Sequence, residues 1–479
     1  MTVLPKQKVG AKNWFLIWAL GLAGQLCWCV ENTWFANYLY ADFGFYVGIV
    51  TAMTIFSALA TTFATFLFGT LADRLGTRKP FIAFGYIAWG IFTIVYGLTH
   101  LYRGAISDNI AVIAIIIVAT DTIMSFFGSA GNDSGFNAWC SDMLDDSNRG
   151  QIGMALAAQP VIGTLVGTLI GGVIIDYFGA SDRGAGYMAF FIIMGVFVII
   201  FGLIALFAVK DSPTLKPYKN GSFWKQFISV FNFKEFFKRK ELVWVNLTVT
   251  VFFIGFNCYF VHIMNWLCYT LNFGAGNGGL LLGIPLVLSV LITIPFIFLI
   301  NHNKSPLIAI GSIIITVIGC IVIFFGVGEG NSLATVPSGE TYRAWLSLDN
   351  LPLYLGILCV GIGYVASIQT YMVWMKKLYP EEQKGQFEGI RILFFVLFPM
   401  VAGPLIANPI IKATGEVTDM IIEGIKVEGQ YLPTKWLFLA SLIITILAIV
   451  PLIFAIKHHN LRIKAEKQDL QEIENLPNS

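Results

Sequence analysis

Twelve long apolar runs constrain this chain more than any other feature. A helix needs about 20 apolar residues to cross a hydrocarbon core of about 30 Å. Runs of that kind cover residues 14–40, 46–72, 80–99, 110–138, 151–175 and 187–209, then 242–270, 277–300, 306–327, 352–375, 387–411 and 434–456. They are numbered here as spans 1 to 12. Composition agrees: 57% of residues are hydrophobic, 12% are charged and the mean hydropathy is +0.75. Ordinary soluble chains carry about 25% charge, so half of the solvated surface that a soluble fold of 479 residues needs is missing. Met1 to Lys12 is basic, but no small-residue cleavage site closes a short apolar core, so the first span is expected to stay in the mature protein.

Orientation follows from Lys and Arg. Of the 30 such residues, 23 fall on the side of the amino terminus, six on the other and one, Arg391, inside a span. Both termini are therefore expected to be cytoplasmic, with the chain in the cell (plasma or inner) membrane. Four segments follow: a six-helix bundle over 1–209, a linker over 210–241, a second six-helix bundle over 242–457 and a tail over 458–479. In the linker, Phe223, Trp224, Phe227, Phe231 and Phe237 recur near helical spacing among Lys225, Lys234, Lys238, Arg239 and Lys240. Such a basic amphipathic helix lies on the anionic cytoplasmic leaflet or packs against the bundle. The loops 328–351 and 412–433 are long, and Met420 to Gln430 alternates around Glu423-Gly424 as a small hairpin would. The tail from Lys457 reads as a fraying helix. An internal repeat supports the halves: Trp139 to Gln151 aligns without gaps to Trp374 to Gln386, each following the fourth span of its half. Repeated halves around a midplane site are typical of secondary transporters. All seven cysteines lie in or at the ends of apolar runs and read as packing residues.

Ionisable groups inside spans are costly, about 2.5–3.5 kcal/mol each at a helix centre, and are functional candidates by default. They are Glu31 in span 1, Asp121 and Asp133 in span 4, His262 in span 7, and Glu388 with Arg391 in span 11. In span 1, Gln25, Trp28, Glu31 and Asn32 share one side of a helix. That mix of amides and an aromatic suits a small polar solute, the alternative being interhelical glue. In span 4, Asp121, Ser125, Ser129 and Asn132 form a polar stripe, with Asp133 and Asn137 beside it and Gly128, Gly131 and Gly135 allowing close contact. Asp133 is the preferred proton- or cation-binding carboxylate, and Asp121 falls in the outer part of the membrane. Span 7 offers Asn257, Tyr259, His262, Asn265 and Trp266. Span 10 adds Tyr364, Gln369 and Tyr371. Glu388 and Arg391 can pair on one face, or Arg391 can reach Asp133 across the halves.

Between spans 2 and 3 lies Gly69-Thr-Leu-Ala-Asp-Arg-Leu-Gly-Thr-Arg-Lys79, a charged turn holding Asp73, Arg74, Arg78 and two glycines, Gly69 and Gly76. It resembles the signature loop between helices 2 and 3 of the major facilitator superfamily, G-x-L-A-D-R-x-G-R-R/K, with Thr77 where the family usually has a base. The second half keeps only a degraded copy at Asn301 to Ser305. The resemblance implies an all-α membrane fold of 12 transmembrane helices in two pseudo-symmetric six-helix bundles, with spans 1, 4, 7 and 10 lining a cavity. It also implies that Asp73, Arg74, Arg78, Asp142, Arg149 and Glu388 serve the cytoplasmic gate, where Asp73 can cap a neighbouring helix. Gly163-x-x-x-Gly167-Thr-x-x-Gly171-Gly172 resembles the superfamily's span-5 antiporter motif, with Thr168 in place of proline; Gly403-Pro404 holds the equivalent place in span 11. Small-residue packing is the favoured alternative. The region from Trp139 to Gln151 is similar to the glycoside–pentoside–hexuronide cation symporters. That likeness implies roles for Asp133, Asp145-Asp146-x-x-Arg149 and Arg391. Span 2 lacks the acid pair of the sodium-binding members.

The reading is a secondary transporter for a small polar organic solute, a sugar or glycoside among the options, with a proton as coupling ion and no cofactor or bound metal. The expected partners are the solute and the anionic leaflet, with no nucleic acid, and the chain is expected to be a monomer. A drug or metabolite exporter and a non-transporting sensor are the alternatives. No GxxxxGK[ST] loop supports an ATP-driven pump, and no HExxH or nucleophile–base pair supports an enzyme.

Overall fold

In hydrocarbon a backbone N–H or C=O finds no water, so each must bond within its own span, and long apolar runs fold as helices. The computed structural model describes residues 9–106, 109–143, 149–213, 215–219, 221–229, 233–301, 304–328, 348–379, 384–422 and 425–474, without the side chains of residues 105–106, 149–150, 157, 229, 297–298, 301, 384–386, 388, 418–429 and 469–474. Among these, twelve helices are long and apolar enough to cross a membrane. They run Ala11–Asp42, Val47–Leu75, Lys79–Tyr102, Ile110–Asp142, Gln151–Phe178 and Arg183–Ala208, then Lys240–Thr270, Gly274–Thr293, Ser305–Gly326, Leu348–Lys377, Gly389–Thr414 and Trp436–Gln468. Each matches one expected span, with one shortened. Hydropathy carries span 8 to residue 300, but the helix ends at Thr293 and a short one, Phe296–Asn301, resumes. Pro295 explains the break, because it lacks the amide proton and its ring crowds the preceding turn.

Among the described residues, the buried apolar side chains form one large cluster drawn almost wholly from spans 1 to 6 and three, one of them small, drawn mainly from the second half. Small residues bring the helices together. A β-carbon at Gly163 of span 5 would lie 2.6 Å from Gln25 Cβ of span 1, and one at Gly403 of span 11 would lie 2.6 Å from Asn257 Cβ of span 7. The same pairing thus recurs in both halves. Gly167 meets Cys29, Gly171 meets Trp34, and Gly172 faces the backbone of Ala275 and Gly276 in span 8. The glycine stripe of span 5 is therefore fully engaged in helix packing. All seven cysteines are free, and six are buried.

The linker forms two short helices, Phe223–Ser229 and Phe233–Lys238. They pack on the bundle through one face: Phe227 meets Phe63, and Phe236 is buried against Phe387 and Phe394. Trp224, Ile228, Phe233 and Phe237 stay exposed. Phe231 lies outside the described residues. The expected hairpin is present as β1, Val417–Ile422, and β2, Ile425–Tyr431, antiparallel with Val417 opposite Tyr431 and Ile422 opposite Ile425. Its tip, Glu423-Gly424, lies outside the described residues, as do 329–347 of the other long loop. The tail does not fray at Lys457. The last helix continues to Glu474, because His459 and Arg462 both bond Glu241 at the start of span 7 (3.1 and 2.8 Å). The repeated tryptophans also act alike: Trp139 donates to the carbonyl of Lys210 (2.9 Å) and Trp374 to Glu241 (2.8 Å).

If the glycine contacts hold the helices together, Gly403→Ala should lower the melting temperature of the detergent-solubilised protein, at a cost of about 1–3 kcal/mol from overpacking. Gly311→Ala, where a β-carbon meets nothing within 4 Å, should leave it unchanged. Equal melting curves for the two variants would contradict the packing account.

Candidate functional site

Four spans contain a widened, π-helical turn: Val30–Phe35 in span 1, Ser129–Phe136 in span 4, Trp266–Thr270 in span 7 and Leu393–Leu397 in span 11. Such turns are rare and gather at functional sites. Side chains fill in for the loosened ladder. Asn32 donates to the carbonyl of Trp28 (2.8 Å) and Ser134 to that of Ala130 (2.9 Å), each four residues back. Turns of this kind carry Glu31, Asn32, Ser129, Asn132 and Asp133.

Glu31 and Asp121 meet at a cavity of about 40 Å³ between the halves. Its polar lining is Glu31, Asn32, Thr54, Ser57, Asp121 and Asn257, and Met53, Phe260 and Met400 supply apolar surface. Glu31 Oε1 accepts from Ser57 of span 2 (2.5 Å) and Ser125 of span 4 (2.7 Å). Its Oε2 and Asp121 Oδ1 are buried and have no hydrogen-bond partner among the described residues. Asn257 commits its amide to the carbonyl of Phe253 (2.8 Å), leaving its oxygen for a ligand. The cavity has room for a few waters and is far smaller than the pockets that enclose organic ligands.

A second polar nest surrounds Asp133, about three turns beyond Asp121 along span 4. Ser129 donates to Asp133 Oδ2 (2.6 Å), Asn132 to Oδ1 (3.4 Å), and Tyr86 holds Asn132 (3.1 Å). Arg391 lies over the ring of Phe395. Asp121 lines the cavity and Asp133 does not.

Other expected site residues sit elsewhere. Gln25 packs against Gly163, and Trp28 packs on Trp89 with ring centroids 4.8 Å apart and planes tilted by 54°. Tyr259 and Trp266 are buried against Phe438 in the second-half core. His262 is fully buried, with neither ring nitrogen bonded among the described residues. Gln369 reaches Thr293 (3.4 Å). Asn265 bonds Asn37 (2.8 Å) and the carbonyl of Ala36 (3.3 Å), Tyr187 also bonds Asn37, and Tyr269 donates to its carbonyl (3.1 Å). With Gly276 N–H on Asp176 (2.8 Å), these contacts join the halves at the end away from the termini.

At the other end, the loop between spans 2 and 3 is a polar knot. Gly76 caps span 2 in the left-handed region (φ 66°), against Pro217, while Gly69 makes only ordinary contact with Ser134. Arg78 pairs with Asp73 (2.7 Å) and Asp142 (3.0 Å). Burial works against its charge, but Asp142 and Asp73 outweigh that and hold the guanidinium above its ordinary pKa. Arg74 reaches the carbonyl of Gly221 (3.0 Å) and Gln226 (3.1 Å). The cap of span 3 is not Asp73. Asp211 takes that place, accepting from the amides of Arg78 (2.7 Å) and Lys79 (3.0 Å) and from the hydroxyl of Thr77 (2.5 Å). Thr77 thus has its own partner where the family pattern has a base. Asp145 and Asp146, and the side chains of Arg149 and Glu388, lie outside the described residues.

Sequence reasoning misses the clusters at span ends. Asp42, His100 and Asp182 offer three potential metal ligands within 4.8 Å of one another. Arg103 sits among them, 3.4 Å from Asp42 and 2.9 Å from Asp182, and a cation already fills the place a metal would take. These residues flank spans rather than occupy them, so an intramembrane-charge search skips them.

A family model described as Major Facilitator Superfamily matches residues 14–339. No curated protein matches the chain significantly. Solved structures do. A bacterial homolog of the human lysosomal transporter Spinster, inward-facing and unoccupied, aligns with a TM-score of 0.66 and 14% identity, covering 95% of this chain and 99% of its own. The nucleoside transporter NupG, in a mutant form, aligns with a TM-score of 0.64 and 14% identity, covering 92% and 99%.

The end cluster makes a pH prediction. Partial burial of Asp182 disfavours its charge, but Arg103, by hydrogen bond and charge, with His100 and the Gly184 amide, overrides this and holds its pKa below the usual carboxylate value. A depressed folded pKa adds stability above the unfolded value, and that stability is lost as pH falls through the folded one. Asp182→Asn should therefore melt at a lower temperature than wild type at neutral pH, and the two should converge on acidification. A difference that persists in acid would point away from Asp182 ionisation.

Proposed function

The chain belongs to the major facilitator superfamily, and from that premise we propose a proton-coupled secondary transporter that moves a small polar organic solute by alternating access. The observation that carries the proposal is the pair Glu31 and Asp121, two carboxylates on one cavity with an oxygen each left unpartnered. An unpaired carboxylate away from water is costly, and a chain keeps one there when it binds a proton or a cation during the working cycle. Ser57 and Ser125 hold Glu31 while leaving its other oxygen free, as reversible proton exchange requires.

The solute enters between Asn32, Asn257 and Phe260, which supply hydrogen bonds and an apolar face. With the termini in the cytoplasm, the Asn37–Asn265 contacts form the outer gate and the knot around Arg78 the inner one. A cavity this small is a contracted state, so solute admission requires the halves to part. Asp133 of span 4 and Arg391 of span 11 carry opposite charges in opposite halves, a second place where protonation alters closure.

The test is uptake in proteoliposomes across a panel of sugars, glycosides and nucleosides under an imposed pH gradient. Wild type should accumulate at least one solute. Glu31→Gln and Asp121→Asn should each abolish pH-driven accumulation while retaining counterflow. Accumulation that ignores the pH gradient in wild type, or survives in both variants, would defeat the coupling assignment.

A further inference from the structure

A second recess opens on the outer flank of spans 7 and 12, at the end of the molecule where the chain begins and ends. It is a groove of about 490 Å³ lined by Lys240, Val243 and Trp244 of span 7 and by Phe454, Lys457 and His458 of the last helix, with Phe237 of the linker at its edge. The flank faces lipid. Val450, Ile453 and Phe454 are 55%, 59% and 41% exposed on a helix that crosses the membrane, and exposed apolar residues at that depth meet acyl chains.

The vertical register is fixed by Glu241, which bonds His459 and Arg462 and so sets the two helices side by side. The two helices run in opposite directions, so Lys240 lies just outward of that contact and Lys457 and His458 just inward of it, all within about one turn and on one groove. One turn deeper, Trp244 stacks on Phe454 with centroids 4.5 Å apart and planes at 22°. The groove thus has a basic rim and an aromatic floor. No acid lines it. The neighbouring acids are engaged elsewhere, Glu241 by His459 and Arg462 and Glu235 by Lys238 (2.6 Å). Neither Lys240 nor Lys457 has an ion-pair partner among the described residues.

We propose that this groove binds an anionic phospholipid, its phosphate between Lys240 and Lys457 and its acyl chain along Trp244 and Phe454. Basic pockets between spans at the cytoplasmic surface are suited to anionic head groups, and each Lys near an anionic surface adds to the attraction. A zwitterionic lipid brings a quaternary amine that two lysines repel, and free phosphate has nothing to lay on the aromatic floor. The site is independent of the solute cavity and of the coupling scheme.

The full-length protein in neutral detergent is titrated with phosphatidylglycerol, phosphatidylcholine or inorganic phosphate, and bound lipid is read by native mass spectrometry. Phosphatidylglycerol should bind about tenfold or more tightly than phosphatidylcholine, two charges' worth of preference. The exposed-charge double variant Lys240→Gln/Lys457→Gln should lose that preference, and Trp244→Leu should weaken both lipids. Equal binding of the two lipids by wild type, an undiminished preference in the double variant, or displacement of phosphatidylglycerol by millimolar phosphate would overturn the proposal. A photoactivatable phosphatidylglycerol on the wild-type protein needs no variant: cross-links should map to 237–244 and 450–458, and labelling confined to other spans would also overturn it.

Discussion

A peptide group in hydrocarbon must find its hydrogen bond inside the protein, and the rest of this structure depends on that requirement. Wherever the helical ladder loosens, something else must take the freed carbonyls. Asn32 and Ser134 do so from within spans 1 and 4. In spans 1 and 4 the loosened turns carry polar side chains, among them Glu31 and Asn32 of the cavity lining. Backbone irregularity and functional polarity coincide because each makes the other tolerable.

Charge follows the same rule, with one contrast. At the span ends, acids are saturated by partners: Asp42 by His100 and Arg103, Glu241 by Trp374, His459 and Arg462, and Asp73 and Asp142 by Arg78. A buried ion is kept where several groups satisfy it. Glu31 and Asp121 break that pattern within their spans, each with an oxygen left open. The saturated clusters hold helix ends together, whereas Glu31 and Asp121 keep oxygen atoms free at the cavity.

The twelve spans are legible because a bilayer demands long apolar runs, and twelve helices match them. The two paired strands of the hairpin are legible from alternation alone. The break at Pro295 is not, because hydropathy does not register a missing amide proton. Glu31, Asn32 and Asn257 stand out as polar exceptions and do share a cavity. Asp121 ranks below Asp133 when depth along a helix is the criterion. Which of the two lines the cavity depends on the side of span 4 that faces spans 1 and 2, and depth alone does not register that. Tyr259, Trp266 and Gln369 look like the cavity residues in sequence, since a polar group on an aromatic or amide says nothing about which neighbour it meets. Asp211 and Asp182 are invisible for the opposite reason: acids outside spans are ordinary, and only their contacts distinguish them.

Asp211 has a consequence for how the molecule is made. Its carboxylate closes the start of span 3, and the residue before it, Lys210, receives Trp139 from the end of span 4. Both are supplied by the exit of span 6, so the clasp for the first six helices is encoded immediately after the last of them. During synthesis, that clasp becomes available as soon as residue 211 leaves the ribosome, before any residue of the second half exists. The order of translation thus runs in step with the order in which the first half can be fastened.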